Sequence, residues 1–301
     1  ERSSQDTWSF TTSTIDAAYA IGRARARVLR ARAHRPRPAS AGPAPASCYR
    51  GAVATLLERP GATGPGRPSR APLHADWLGR IGYRDAWDLQ RRLAAERAEG
   101  RIDDRLLLLE HPAVLTLGRH ANPAHIVAPP ELLAARGIDV LRVERGGEVT
   151  YHGPGQLVAY PIIRLADRGL LLRPLVRALE GALADTCAAF GVAAGRRDGH
   201  PGCWCDPDGP EPRKIGALGI RVERGVTYHG IALNVTADLA DFDLIDPCGM
   251  TGVTSTSIAR EAGRPDEPPS TGSVARAASV FARALAARLD APLAGELPPG
   301  T

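Results

Sequence analysis

Two apolar segments, Lys214–Glu223 and Val226–Val235, are joined by nothing longer than the turn Glu223-Arg224-Gly225. So short a connection joins antiparallel strands, because a parallel return needs a crossover of a dozen or more residues. Around this hairpin the pattern alternates between helical and extended periods. Tyr83 to Arg97 places Tyr83, Trp87 and Leu93/Ala94 near one helical face, and Gly100 ends it. Leu106–Leu109 and Val114–Leu117 are short apolar runs on either side of Glu110-His111-Pro112, which suits two strands about a sharp turn. Val140–Glu144 and Gln156–Ile163 read as further strands flanking a glycine-rich loop. Leu171–Phe190, stopped by Gly191, and Val274–Leu289 read as helices. Strands grouped between helices with hairpin-length connections predict an α+β domain with a mixed β-sheet flanked by helices. No βαβ alternation carries a G-x-G-x-x-G sequence, which argues against a dinucleotide-binding fold.

The net charge of +5 suggests a basic surface until it is divided along the chain. Residues 1–75 hold 12 Arg against four acidic residues, so the remaining 226 residues are net negative. The basic character belongs to the N-terminal stretch, and a nucleic-acid-binding body is not expected. Its Pro-, Gly- and Arg-rich composition predicts a disordered extension over 1–75, ahead of a folded body over 76–290 and a short tail over 291–301. No run of about 18 or more apolar residues is present, so no membrane-spanning helix is expected. Five cysteines, at 48, 187, 203, 205 and 248, lack the spacing of a disulfide framework and fit reduced thiols. Cys203-Trp204-Cys205 could suggest zinc, but only His200 is close and no second ligand pair follows. No metal and no cofactor is expected, and the alternative is a strand with both thiols on one side.

The chemistry-bearing candidates begin with a compositional oddity. The chain has 37 arginines and one lysine, Lys214. Arginine stays protonated at any physiological pH, whereas a lysine can shift its pKa and exchange a proton, so a site needing a titrating amine cannot use the common residue. Lys214 is either such a site or the remnant of a drift toward arginine. A nucleophile for it to serve is offered by Cys248, in Asp246-Pro247-Cys248-Gly249, a loop composition suited to presenting a side chain at a cleft. A free thiol with a pKa of about 8.5 needs a nearby cation to be reactive at neutral pH. Cys187, by contrast, lies among apolar residues of the long helix, where burial explains it.

The pentapeptide Val149-Thr150-Tyr151-His152-Gly153 recurs as Val226-Thr227-Tyr228-His229-Gly230, which suggests two strand ends placed near one another. Either histidine could be a hydrogen-bonded core residue. That reading is preferred for His229, whereas four glycines around His152 let backbone approach a ligand and favour it as a site residue.

Four ordered motifs, Arg145–Gln156, Arg213–Ile220, Tyr228–Val235 and Pro247-Cys248-Gly249, together with Leu109–Pro112 and Leu117–Arg119, resemble the lipoyl(octanoyl) transferase family. The resemblance runs from about Trp77 to Leu289. It implies a single catalytic domain of the biotin/lipoate protein ligase type, acting in the cytoplasm. The implied reaction moves an octanoyl group from acyl carrier protein to a lysine of the lipoyl domains of 2-oxoacid dehydrogenases or of the glycine-cleavage H protein. By the same resemblance Cys248 forms an acyl-thioester and Lys214 lowers its pKa and carries protons. Arg145, Gly146, Gly147, Glu148, Val149, Thr150, Tyr151 and His152 would line the acyl site, with Ala217, Leu218, Gly219, Gly230, Ile231 and Ala232. The 1–75 extension, the Cys203-Trp204-Cys205 strand and the Pro/Gly-rich His200–Pro212 stretch depart from the family pattern. Two rivals stay open: an ATP-dependent lipoate or biotin protein ligase on the same scaffold, and a non-catalytic acyl-binding module. Arginines around the cleft, Arg145 and Arg213 first, would draw acidic partners.

Overall fold

The structure is a computed structural model, and it describes residues 71–246 and 253–298. The expected features of residues 1–70, and Cys248 itself, lie outside the described residues.

The large sheet follows the order β12 (Leu293–Ala294), β1 (Leu73–Arg80), β2 (Arg105–Glu110), β6 (Gln156–Ile162), β10 (Val226–Asn234), β9 (Arg213–Glu223), β8 (His200–Cys205) and β7 (Gly195–Arg197). The two-residue β11 (Thr254–Ser255) lies alongside β9. β1 runs parallel to β2 and to β12, whereas β2–β6, β6–β10, β10–β9 and β9–β8 are antiparallel, so the sheet is mixed. A smaller sheet is built of β4 (Asp139–Arg142), β3 (Val114–Leu117) and β5 (Val149–His152).

Helices cover both faces of the large sheet, and the unbroken Leu106–Leu109 run shows why. Strand side chains alternate, so Leu106 and Leu108 enter one core while Leu107 and Leu109 enter another, and a strand covered on both sides needs apolar residues at every position. The first core holds Leu175, Leu179 and Leu183 of helix Leu172–Ala189 with Val274, Phe281 and Leu285 of helix Thr271–Arg288. Helix Tyr83–Ala98 packs Ala86 on the opposite face, against Val158, Tyr160 and Ala232. The Leu172–Ala189 helix stops where Gly191 takes up a φ of 77°, and Ser270 caps the last helix by accepting from the Ser273 N–H.

Two expected boundaries are corrected, and one expected pair of strands is found divided between sheets. Leu73 and Ala75 lie in β1 and are fully buried, so the folded chain begins before the boundary expected at 75/76. Residues 291–298 are not a free tail, because Leu293 and Ala294 pair with Leu73 and His74. The strands flanking Glu110-His111-Pro112 do form but go to different sheets, β2 to the large and β3 to the small one. Each difference depends on partners remote in sequence, which a local pattern does not carry. The Cys203-Trp204-Cys205 segment is a strand, with both thiols turned into the core beside Cys187.

Candidate active site

The antiparallel pair β9–β10 and the segment Arg145–His152 form the two walls of a cleft. Its empty volume is about 860 Å³, part of which is open solvent. Close backbone approach makes this arrangement possible. A Cβ on Gly219 would lie 2.7 Å from the Gly146 carbonyl oxygen, and Gly147 adopts a φ of 90° that side chains rarely tolerate. Apolar Val149, Leu218, Ile231, Ala232 and Phe242 line it with Lys214, His152 and His229.

Of the residues expected in the site, Arg145, Gly147, Glu148, Val149, Thr150, His152, Ala217, Leu218, Gly219, Gly230, Ile231 and Ala232 all line this cleft, and so does Lys214. Gly146 does not; a Cβ there would lie 3.1 Å from the Ile220 carbonyl oxygen. Tyr151 does not either: its ring is buried in the core of the small sheet against Phe242, where its hydroxyl donates to Asp241.

Lys214 is half-buried on β9, opposite Trp204 of β8 on one side and Ser255 of β11 on the other. Its Nζ lies 5.2 Å from the centroid of the Trp204 ring, near enough for a cation–π attraction. A Cβ on Gly202 would come within 3.2 Å of Lys214 Cε, so that glycine leaves room for the lysine stem. Trp204 is held in turn by donation from its Nε1 to the His200 carbonyl, 3.0 Å away.

The arginines expected at a docking surface are engaged elsewhere. Arg145 is buried and donates to the Thr116 hydroxyl (3.0 Å) and to the carbonyls of Thr116 (2.6 Å), Glu148 (2.6 Å) and Gly146 (3.0 Å), so it holds the cleft wall together. Arg213 forms a two-pronged pair with Glu261 at 2.8 and 3.0 Å, which raises the arginine's pKa and lowers the carboxylate's. Both sites would have been needed free for a partner, and neither is.

Behind the cleft lies a buried polar cluster that sequence reasoning largely missed. His111 donates from Nδ1 to the Ile81 carbonyl (2.8 Å), which leaves Nε2 to accept the Tyr160 hydroxyl (2.8 Å). Tyr83 stacks beside His152, with ring centroids 5.9 Å apart, and burial pushes its hydroxyl up to about 12. His229, expected as a core residue, is buried and also lines the cleft, with both ring nitrogens unpaired. It sits within β10 at a φ of 54°, not at the strand end its pentapeptide suggested. Tyr83, Gln156, Tyr160, Asn234, Phe242, Val253 and Ser255 also line the cleft. Gln156 and Asn234 stand inside two of the motifs quoted above, so a signal existed for them. Tyr83 and Phe242 offer only ordinary apolar periodicity.

Residues 82–280 match the family described as lipoyl protein ligase A/B catalytic domain. An octanoyltransferase of Chloroflexus aurantiacus is 50% identical over 193 residues, 64% of this chain and 85% of its own length. One from Acidobacterium capsulatum is 52% identical over 192 residues, covering 61% of this chain and 78% of the relative. The chain belongs to the lipoyl(octanoyl) transferase family. This family member is therefore an acyltransferase of protein lipoylation. A putative lipoate protein ligase from T. acidophilum with bound lipoic acid superposes with a TM-score of 0.55 at 15% identity, over 76% of this chain and 89% of that one. A lipoate-protein ligase A bound with ATP gives 0.52 at 16%, over 76% and 89%. The transferase thus has the lipoate-ligase fold. Among its described residues no helix is long and apolar enough to cross a membrane.

Proposed function

We propose that this transferase takes an octanoyl group from the thioester of acyl carrier protein, holds it on Cys248, and passes it to a lysine of lipoyl domains, in the cytoplasm. The acceptors are lipoyl domains of 2-oxoacid dehydrogenases and the glycine-cleavage H protein. The observation that carries this reading is the placement of Lys214. The chain's only amine side chain stands in an apolar cleft, and the strand that follows the Cys248 segment pairs beside it, Ser255 opposite Lys214. Val253, five residues beyond Cys248, lines the same cleft, so Cys248 is tethered within about 18 Å of it by chain length alone.

In the first half-reaction the Cys248 thiolate attacks the thioester carbon, the carbon–sulfur bond to the carrier breaks, and the departing thiolate takes a proton from the Lys214 ammonium. In the second, the neutral amine of the acceptor lysine attacks the acyl-enzyme. The amide forms, Cys248 leaves as thiolate, and the surplus proton of the amine returns to Lys214. Backbone N–H groups on the glycine-rich walls suit the oxyanion of either tetrahedral intermediate. Leu218, Ile231 and Ala232 provide an apolar seat for the eight-carbon tail.

Intact mass spectrometry after incubation with octanoyl-carrier protein tests the reading. An added octanoyl group, labile to hydroxylamine and missing in Cys248→Ala, is expected. Folded enzyme that gains no adduct overturns the thioester route. Lipoylation that needs ATP and survives Cys248→Ala assigns the chain to ligase chemistry instead.

A further inference from the structure

A run of side-chain amides crosses from the end of β10 to the cleft, and its direction is fixed at both ends. Asn234 donates from Nδ2 to the Thr256 carbonyl at 2.9 Å. A backbone carbonyl can only accept, so the amide nitrogen must be the atom that faces it and Oδ1 must face the other way. There it accepts from Gln156 Nε2 at 2.9 Å, and the same nitrogen donates to a second backbone carbonyl, that of Tyr151, at 3.3 Å. With its nitrogen committed twice, Gln156 can offer only Oε1 to His152, whose Nδ1 lies 2.7 Å away. That nitrogen must therefore carry the ring proton, and a neutral imidazole then has none on Nε2.

All three side chains are buried, with His152 6%, Gln156 2% and Asn234 5% exposed, so water does not compete for these bonds. Their amide orientations follow from the two carbonyls and not from a choice between similar atoms. His152 lines the cleft, and Nε2 is the ring nitrogen left for what enters it.

We infer that His152 is a hydrogen-bond acceptor of fixed tautomer in the cleft wall, and that Gln156 and Asn234 are the positioning residues that impose it. Burial lowers the pKa of this ring to about 3, with neighbouring His111 adding to the effect. So weak a base does not hold a proton at neutral pH, which separates its task from that of Lys214. The group it receives must arrive as a donor. Resting on the transfer route proposed above, that group is the neutral amine of the acceptor lysine: one N–H points to Nε2, and the amine lone pair is left aimed at the thioester carbon. The carrier-thioester carbonyl is acceptor-only and gains nothing from this nitrogen.

The tautomer is read directly by ¹⁵N NMR of histidine-labelled full-length enzyme at neutral pH, with His152→Gln identifying the signals. A protonated Nδ1 and a bare Nε2 are expected, and a proton on Nε2 overturns the inference. This spectrum needs no substrate, so it stands or falls separately from the octanoyl adduct on Cys248. In Gln156→Leu the tautomer is no longer dictated, and transfer from pre-acylated enzyme to the lipoyl-domain lysine is expected to slow about 10- to 100-fold, the size of effect seen when the partner that orients a metal-bound imidazole is removed. Release of the carrier thiol in a single turnover should change little. Equal slowing of both halves, or unchanged transfer, overturns the assignment to the amine. Should Gln156→Leu fail to fold, the wild-type spectrum and the two half-rates of His152→Gln decide.

Discussion

An ammonium and a guanidinium at position 214 differ in one respect that matters for transfer. On the proposed route either cation would stabilise the Cys248 thiolate, but a lysine side chain can exchange a proton whereas a guanidinium stays protonated. Lys214→Arg is therefore expected to lose about 10²- to 10⁴-fold in turnover. The pH dependence of Cys248 alkylation should move less in that variant than in Lys214→Met. An arginine enzyme with wild-type turnover would remove the proton-transfer role. A second single-residue effect lies far from the cleft. Asp104 is buried between Arg97, whose Nε lies 2.7 Å away, and Arg168, and it also accepts the Arg164 N–H at 3.0 Å. Asp104→Ala takes the counter-charge from the buried Arg168 guanidinium and leaves Arg97 to Asp167, 2.6 Å away, with an expected loss of about 3–5 kcal/mol in urea unfolding. At this scale the sequence was legible where a residue type was rare or sat in a motif, as Lys214 was. It was not legible for Arg145, whose type says nothing of whether it meets a partner or Thr116 and Glu148 across a loop. Tyr151 failed for a different reason: a motif names a stretch, whereas the packing around each side chain decides which of them reach the cleft and which fill the core behind it.

The hairpin β9–β10 was readable because its turn and its apolar runs are local in sequence. β12 was not, since two residues carry no periodicity and their partner β1 lies at the far end of the folded chain. The separation of β2 and β3 into two sheets was hidden for the same reason, because a sharp turn fits a hairpin and a sheet change equally. Between β6 and β10 the strand pairing meets a position where only glycine fits. A Cβ on Gly230 would strike the Ala159 carbonyl oxygen and approach Pro161 Cδ to 2.7 Å, and the carbonyl belongs to backbone that cannot swing aside. Gly230→Ala should therefore push β10 from β6 directly beneath the cleft and cost about 1–3 kcal/mol. Amide hydrogen exchange checks it: faster exchange confined to Ala159 and its neighbours on β6 and β10 is expected, and unaltered protection there would mean the sheet absorbs the methyl group.

Across the molecule, the cleft is backed by three buried histidines that stay neutral, and this couples its architecture to pH. Burial lowers His111 to about 4, and His152 and His229 to about 3, against about 6.5 for an exposed imidazole. Below pH 6.5 the unfolded chain binds protons at these positions and the folded chain does not, so stability falls as pH drops from about 6.5 toward 4. Each histidine contributes up to about 1.4 kcal/mol per pH unit in that window, and three acting together would give about 4 kcal/mol per unit as an upper bound. Glu261, whose pKa is lowered by Arg213, adds a loss of the same sign at more acid pH. Urea midpoints at pH 7, 6 and 5 should fall progressively more steeply than in variants lacking one of these rings. His229→Gln is the most telling of them, because both nitrogens of that ring are unpaired and its replacement forfeits no hydrogen bond made by the ring. The slope between pH 6 and 5 should flatten by about one proton's worth in that variant. A slope identical to wild type would mean that the imidazole at 229 already takes up its proton in the folded enzyme, and that the cleft is wetter than its apolar walls imply.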